Sequence, residues 1–290
     1  MKVLVTGANS PLGKVVVEKA KSANHCVVEA LRGGVTAPEA TSPSTRINLD
    51  MTKPETFSAI PTDVECVVHI AAANEGTAGH LFDVNGMGTL RLIQSSIRLG
   101  ISKLIHVSSM SVYGNVSEAN VSRDTPIQHP SPYGLSKFSG ECFLRDFANK
   151  LASVSIRSPA IIGNGASRNF LAKLVRDMID QREEVILKNP DFLFNNIIHY
   201  ETFSRFIVSL IETDLTSYDF FPVASSMPRP LGVIVAHIAS RLDYKKRISW
   251  SDGGPSPFSV NTEYSEKFGF QPRAVLDEID DWLNSKTLCR

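Results

Sequence analysis

A doubly wound α/β fold with a parallel sheet is predicted by three features of the sequence. Short β-branched apolar runs alternate with longer helix-spaced segments through the first half, a glycine turn follows the first run directly, and the alternation stops near residue 160. Strands buried on both faces and separated by helices pair in parallel through right-handed crossovers. At ~150 residues per domain, 290 residues allow about two domains, or one large unit with an appendage.

The elements follow in order. Strands are expected at 2–5 (KVLV), 26–31 (CVVEAL), 64–70 (VECVVHI) and 103–107 (KLIHV), with a shorter candidate at 153–156 (SVSI). Helices are expected at 12–22, where Leu12, Val15, Val16 and Ala20 share a face, at 80–99 and at 132–150. Beyond residue 160, helical stretches at 168–182, 200–213 and 230–242 are separated by turn-rich pieces such as Asp252-Gly253-Gly254-Pro255. The last segment, 274–284, carries Val275, Leu276, Ile279, Trp282 and Leu283, with Trp282 as its packing anchor. No internal repeat and no freeing linker is visible, so the second half is expected to cover the carboxyl edge of the sheet, where doubly wound proteins bind ligands.

Composition removes several classes of function. Thirty Lys+Arg balance 30 Asp+Glu, which argues against a nucleic-acid partner. Lys245-Lys246-Arg247 is read as a solvated loop and Glu183-Glu184 as a surface pair. The four cysteines (26, 66, 142 and 289) form no CxxC and the seven histidines no HxxH, so reduced thiols and no metal site are expected; Cys26 and Cys66 fall in runs that read as buried strands. Met1-Lys2 leads straight into the first strand, too short for a signal peptide, and no apolar run approaches membrane-spanning length. A soluble, cytoplasmic protein with no membrane partner is expected.

The first strand runs into Thr6-Gly7-Ala8-Asn9-Ser10-Pro11-Leu12-Gly13 and then a helix. In such a turn small residues let the backbone approach a pyrophosphate, which the helix N-terminus attracts. Ser10-Pro11 reads as an N-cap followed by proline at the first helical position. The cost falls on the ligand side, since serine is bulkier than glycine and Pro11 offers no N–H. These residues point to a Rossmann-like dinucleotide site, with 1–160 as the dinucleotide-binding domain (plus later returning segments) and 161–290 mostly as a smaller C-terminal substrate-binding region. The second strand ends Leu31-Arg32-Gly33-Gly34, with a cation and no carboxylate at its tip. That arrangement favours the 2′-phosphate of NADP over NAD, unless Arg32 is simply a solvated surface residue.

Ser131-Pro132 opens a helix carrying Tyr133 and Lys137, four residues apart and therefore on one face. A phenol with pKa near 10 is a poor base at neutral pH, and moving it to about 7 requires roughly 4 kcal/mol, feasible for a partly desolvated ammonium beside a cationic nicotinamide ring. Upstream, strand 103–107 ends in Ser108-Ser109-Met110-Ser111-Val112-Tyr113-Gly114, placing hydroxyls where ligands bind. YxxxK alone is a common accident; joined to the glycine turn and the serine-rich strand end it is specific.

With these pieces the chain resembles, over nearly its whole length, an extended short-chain dehydrogenase/reductase of the NAD-dependent epimerase/dehydratase family. The matching segments are TGANSPLG, Asn48-Leu49-Asp50-Met51-Thr52, Val67-Val68-His69-Ile70-Ala71-Ala72, Asn85-Gly86-Met87-Gly88-Thr89, SSMSVYG, YGLSK and Arg157-Ser158-Pro159-Ala160-Ile161-Ile162-Gly163, then Asn196-Ile197-Ile198-His199 and Lys267-Phe268-Gly269-Phe270-Gln271-Pro272. The resemblance implies Tyr133 as acid/base, Lys137 as its pKa tuner and ribose ligand, and Ser109 as the group orienting the substrate oxygen. It implies cofactor contacts at Gly7, Asn9, Ser10, Pro11, Leu12 and Arg32, at Asp50 and Met51 around the adenine, at Ala71, Ala72 and Ala73 on the ribose side, at Pro159 near the nicotinamide amide, and support from Asn85. Asn169 is implied as a substrate contact. The sequence departs from the family at Ser10 and at Asn195, which stands where many sugar-nucleotide epimerases have an arginine; Ser256-Pro257-Phe258-Ser259 offers no replacement.

The leading expectation is an NADP-preferring oxidoreductase of a secondary alcohol/ketone pair, with a keto sugar nucleotide as substrate. The alternatives are a sugar-nucleotide epimerase or dehydratase that regenerates its cofactor, and a non-catalytic NADP-sensing regulator, which the retained catalytic set disfavours. The family also implies a homodimer through the helices at 80–99 and 132–150.

Overall fold

The computed structural model describes residues 1–33, 45–163, 165–166, 169–251, 253 and 258–285. Two compact units emerge. One comprises Met1–Gly114, Ile127–Arg157 and Ser204–Phe221; the other comprises Asn115–Pro126, Ser158–Phe203 and Pro222–Arg290.

The first unit is built from β1 (Lys2–Thr6), α1 (Pro11–Ser22), β2 (Cys26–Leu31), β3 (Thr45–Asn48), β4 (Cys66–His69), α2 (Ala78–Leu81), a π-helical turn (Phe82–Met87), α3 (Gly88–Arg98), β5 (Lys103–Ser109), α4 (Pro132–Asp146), β6 (Ala152–Ser158), α5 (Tyr200–Glu212) and β7 (Tyr218–Pro222). Its seven-stranded sheet has the order β7-β6-β5-β4-β1-β2-β3. Val5 on β1 lies beside Glu29 of β2 and Val68 of β4, both in parallel register, and the parallel pairing continues from β2 to β3 and from β4 to β5. The doubly wound prediction holds. Strand order reverses between β1 and β4, which makes their carboxyl ends the switch point where such sheets bind ligands.

The strands form because their apolar, mostly β-branched residues are buried: Val3, Leu4 and Val5 on β1, and Val67 and Val68 on β4, are fully covered. Leu92 and Ile93 of α3 and Leu144 of α4 join Leu4, Val28, Val67 and Leu104 in one apolar cluster. Helix α1 begins as the Ser10-Pro11 pair predicts, the Ser10 hydroxyl accepting from the Gly13 amide at 3.0 Å, and buries Leu12, Val16, Val17 and Ala20. At the far side of the sheet the buried Lys103 amino group donates to the carbonyls of Leu210, Ile211 and Thr213, capping the end of α5.

The structure corrects the predicted elements in several places. The segment expected as one helix over 80–99 is α2, a π-helical turn and α3, an extra residue per turn that brings Asn85 fully inside. The helix expected over 132–150 ends at Asp146: Phe147 leaves the helical backbone angles at φ −100 and ψ 14, and the Ala148 amide tightens onto the Arg145 carbonyl three residues back. Strands β3 and β7 were not anticipated. β3 carries one apolar residue, Ile47, between exposed polar ones, so its alternation is too short to register. Cys26, expected inside, opens β2 with its side chain exposed, while Cys66 is buried.

In the second unit, helices Phe170–Ile179, Leu231–Arg241 and Val275–Asn284 pack around Leu171, Leu174, Ile234, Ile238, Ile279 and Trp282, confirming Trp282 as an anchor. Strand Arg247–Ser251 pairs with Glu184–Lys188. There Lys245 pairs with Asp243, Lys246 with Glu183 and Arg247 with Glu184, so the basic run and the acidic pair neutralise each other at the surface. The expected turn pieces at Asp252, Gly254 and Pro255, and Ser256-Pro257 beyond them, lie outside the described residues, as do Gly34 and Cys289. Among the described residues no helix is long and apolar enough to cross a membrane.

Candidate active site

The first unit brings Ser109, Tyr133 and Lys137 to the β5–α4 side of the switch point. Ser109 ends β5 and caps the short 3-10 turn Met110–Tyr113, its hydroxyl accepting from the Ser111 amide at 3.1 Å. Helix α4 starts with Ser131 as N-cap and Pro132, so Tyr133 stands in its first turn. The glycine after the tyrosine is required for closeness: a Cβ on Gly134 would lie 2.1 Å from the Ser111 carbonyl oxygen. This contact seats the start of α4 directly on the turn after β5, and Ser109 hydrogen-bonds the Tyr133 phenol.

In the protein by itself, the electrostatics of the two candidate side chains are set by burial. Burial pushes the Tyr133 phenol above its ordinary value, and the Ser109 hydroxyl pulls the other way. A lowered phenol is therefore not a property of these side chains by themselves. Lys137 is fully buried, and its ammonium is pulled down to about 8 by desolvation, against which the Glu141 carboxylate acts. Among the described residues its Nζ has no hydrogen-bond partner. A buried amine left in that condition costs free energy unless something else completes it.

The loop after β4 is held by groups the sequence ranked as supports or did not single out. Asn85 is completely buried; its Oδ1 accepts from the Ala73 amide at 2.8 Å, while its Nδ2 donates to the Ala73 carbonyl at 2.8 Å and to the Ser136 hydroxyl at 2.9 Å. Ala71, Ala72 and Ala73 are thereby pinned to α4, half-buried. Thr6 Oγ1 accepts from the amides of Ile70 and Ala71 and donates to His69 Nδ1 at 2.8 Å. Because Thr89 donates to the Asn85 carbonyl, it accepts from His69 Nε2 at 3.0 Å, so His69 is the neutral Nε2–H tautomer. Burial holds His69 down to about 3, consistent with that assignment. Gly7, at φ +67, packs where a Cβ would approach the Ala71 amide nitrogen to 2.9 Å.

The remaining predicted cofactor residues lie around β1 and β2. Asn9 and Pro11 are exposed, Ser10 is half-buried, and Leu12 is in the core, so it offers only backbone outward. Arg32 is exposed at the tip of β2, and its charge reaches Asp50. Burial would raise the Asp50 carboxyl, but the Thr52 amide and hydroxyl, with Lys53 and Arg32, hold it below the usual range. Met51 is buried, and a Cβ on Gly88 would lie 2.6 Å from its Cβ. Glu29, on β2 itself, is occupied by Lys21 at 2.8 Å and Arg46 at 3.2 Å.

Pro159 and Asn169 belong to the second unit. Pro159 is buried after β6. Asn169 caps helix Phe170–Ile179, its Oδ1 accepting from the Ala172 amide at 2.8 Å and its Nδ2 donating to the Ile161 carbonyl at 3.0 Å, so both ends are engaged. Asn195 is likewise spent inside that unit, bonding the Ser225 carbonyl and both backbone groups of Val260.

One feature of the first unit escaped sequence reasoning. Behind Lys137, Glu141 is fully buried and takes Arg157 Nη2 at 2.7 Å, Arg157 Nε at 3.1 Å and the Ser108 hydroxyl at 2.5 Å. Arg157 lies over the rings of Tyr113 and Phe220. The signal was an arginine ending the buried run SVSIR, which demands a buried carboxylate.

A dinucleotide fits the residues present: a glycine-rich turn feeding a helix of twelve residues, and a buried lysine amine that lacks a partner among the described residues. Residues 3–194 match the model of the NAD dependent epimerase/dehydratase family. The UDP-glucose 4-epimerase of Mycolicibacterium smegmatis is 31% identical over 163 residues, 51% of this chain and 52% of that one. The chain thus spans about half the length of the curated relatives it matches. Among solved structures, the UDP-glucose 4-epimerase of Thermotoga maritima with UDP-glucose superposes at a TM-score of 0.80, 20% identity, covering 99% of this chain and 97% of that one. A short-chain dehydrogenase/reductase superfamily protein of Agrobacterium tumefaciens with bound NAD superposes at 0.82, 19% identity, covering 98% and 96%.

Proposed function

This chain belongs to the NAD dependent epimerase/dehydratase family, and on that basis we propose that it is an NADP-preferring oxidoreductase acting on a secondary alcohol/ketone pair, with a keto sugar nucleotide as substrate. The observation that carries the reading is the convergence of Ser109, Tyr133 and a Lys137 amine that is buried and unpartnered. A nicotinamide dinucleotide, when bound, supplies hydride exchange at carbon. Tyr133 exchanges the proton of the reacting oxygen, and Ser109, already bonded to the phenol, orients that oxygen. Lys137 donates to a ribose hydroxyl and brings a positive charge beneath the phenol. Gly7, Asn9, Ser10, Pro11 and Leu12 would hold the pyrophosphate, Asp50 and Met51 the adenine, Ala71 to Ala73 the ribose side, and Pro159 the carboxamide, with Asn85 keeping the alanine loop in place.

Arg32, exposed at the strand tip with its charge reaching Asp50, supports NADP over NAD through the cation it would offer a 2′-phosphate. Asn195 is spent inside its unit, so a substrate diphosphate would be held by other groups. We assign the protein to the cytoplasm and infer a homodimer through α3 and α4, supported by Leu135 on α4 and Met87 just before α3, each 43% exposed. A monomer by light scattering at micromolar concentration would dispose of the dimer.

The test is incubation with NADPH and a panel of keto sugar nucleotides while following the nicotinamide absorbance, for wild type and Tyr133→Phe. Turnover by the wild type and a loss of about 10²-fold or more in the variant are expected. No turnover on any substrate, or an unaffected variant, overturns the reading. A second reading, epimerisation without net redox change, is favoured by the similarity to the M. smegmatis UDP-glucose 4-epimerase. Tightly co-purifying cofactor and interconversion of sugar epimers without absorbance change would select it.

A further inference from the structure

The buried ion pair behind the site is tied to each catalytic segment. Glu141 follows Lys137 by one turn of α4; its carboxylate takes the hydroxyl of Ser108, the residue before Ser109. Its partner Arg157 bonds and stacks on Tyr113, the end of the 3-10 turn against which Gly134 packs. Moving this pair would move the tip of β5 relative to the first turns of α4.

We propose that Glu141, clamped by Arg157 and Ser108, is a positioning residue: it registers Ser109 against Tyr133 and sets a carboxylate one helical turn beyond the Lys137 amine. The groups that interact with Lys137 are His69 on β4, His106 on β5 and Glu141 on its own helix, with Arg157 beyond Glu141 on β6 and Tyr133 one turn earlier on α4. Burial holds both histidines far below their ordinary range, so they are neutral and offer Lys137 no charge. Glu141 is the negative group among them. Surrounding a buried cation with one carboxylate that is itself saturated by Arg157 and Ser108 leaves the Lys137 Nζ available rather than trapped in a direct pair.

The proposal rests on the catalytic reading above, so its experiment has a readout that does not need turnover. Lys137 is titrated by NMR on protein carrying 13C at lysine Cε, the resonance assigned by its loss in Lys137→Met. Glu141→Gln is expected to lower the Lys137 midpoint by about one pH unit or more. If activity is found, the alkaline limb of kcat/KM moves by the same amount, with kcat reduced more than KM. Because breaking a buried pair can prevent folding, the double replacement Glu141→Met with Arg157→Met provides a folded comparison. It is expected to reproduce the lowered midpoint, and Glu141→Asp to restore much of the wild-type value. An unchanged Lys137 midpoint in Glu141→Gln, or in the folded double variant, overturns the proposal. A shifted midpoint with no turnover on any substrate leaves the positioning role standing and discards the catalytic reading.

Discussion

Two lysines are buried in the first unit, and their amino groups have opposite fates. Lys103, 8% exposed on β5, spends its protons on the carbonyls that end α5. Lys137, 1% exposed on α4, has an Nζ with no partner among the described residues. Burying an ammonium is costly unless hydrogen bonds replace its water. The first lysine is completed by the fold and serves stability. The second is left incomplete by the fold, which is intelligible if a ligand completes it. Charge and burial do not separate the two; hydrogen-bond satisfaction does.

That contrast can be broken by experiment. The largest expected effect is on chemistry: Lys137→Met should lower kcat by about 10²–10⁴-fold while leaving the denaturant midpoint unchanged or raised, since it removes a poorly solvated charge. Next comes pH. The Lys137 ammonium titrates near 8 in the folded protein against 10.5 for an ordinary lysine. Between those values the unfolded chain binds a proton the folded one lacks, so stability rises as pH increases from about 8 to 10.5, by at most about 3 kcal/mol. Urea unfolding across that window should show the rise in wild type and a flatter curve in Lys137→Met.

Lys103→Met should behave in the opposite sense, losing about 1–3 kcal/mol of stability by orphaning the end of α5, with kcat/KM per folded molecule unchanged. The smallest effect concerns Asn169. Both its side-chain ends are engaged in its own unit, as those of Lys103 are, so Asn169→Ala should cost about 1 kcal/mol of stability through the lost cap. A tenfold change in KM without a change in stability would instead make it a ligand residue.

What could be read from the sequence follows the same division. The β1–turn–α1 entry was legible because Gly7, Ser10 and Pro11 each satisfy a local rule. Ser109, Tyr133 and Lys137 were legible because strand-end placement and helical spacing are local too. β3 was hidden by its short, mostly polar alternation, and the π-helical turn by an apolar period that fits an ordinary α-helix. The Thr6–His69–Thr89 relay and the Glu141–Arg157 clamp join residues 63, 20 and 16 positions apart. No periodicity within one element reports such contacts. The upward push of burial on the Tyr133 phenol is hidden for a related reason: the sequence places a cation nearby but carries no measure of how strongly the phenol is desolvated.

The most direct measurement is the affinity of the purified protein for NADP, followed by titration calorimetry in wild type, Lys137→Met and Lys103→Met. Wild type and Lys103→Met should bind alike, and Lys137→Met at least about tenfold more weakly, as the loss of one charge-assisted hydrogen bond requires. Equal affinity in all three proteins, or no binding of either nicotinamide dinucleotide to the wild type, would contradict the claim that the unpartnered amine is held open for a ligand.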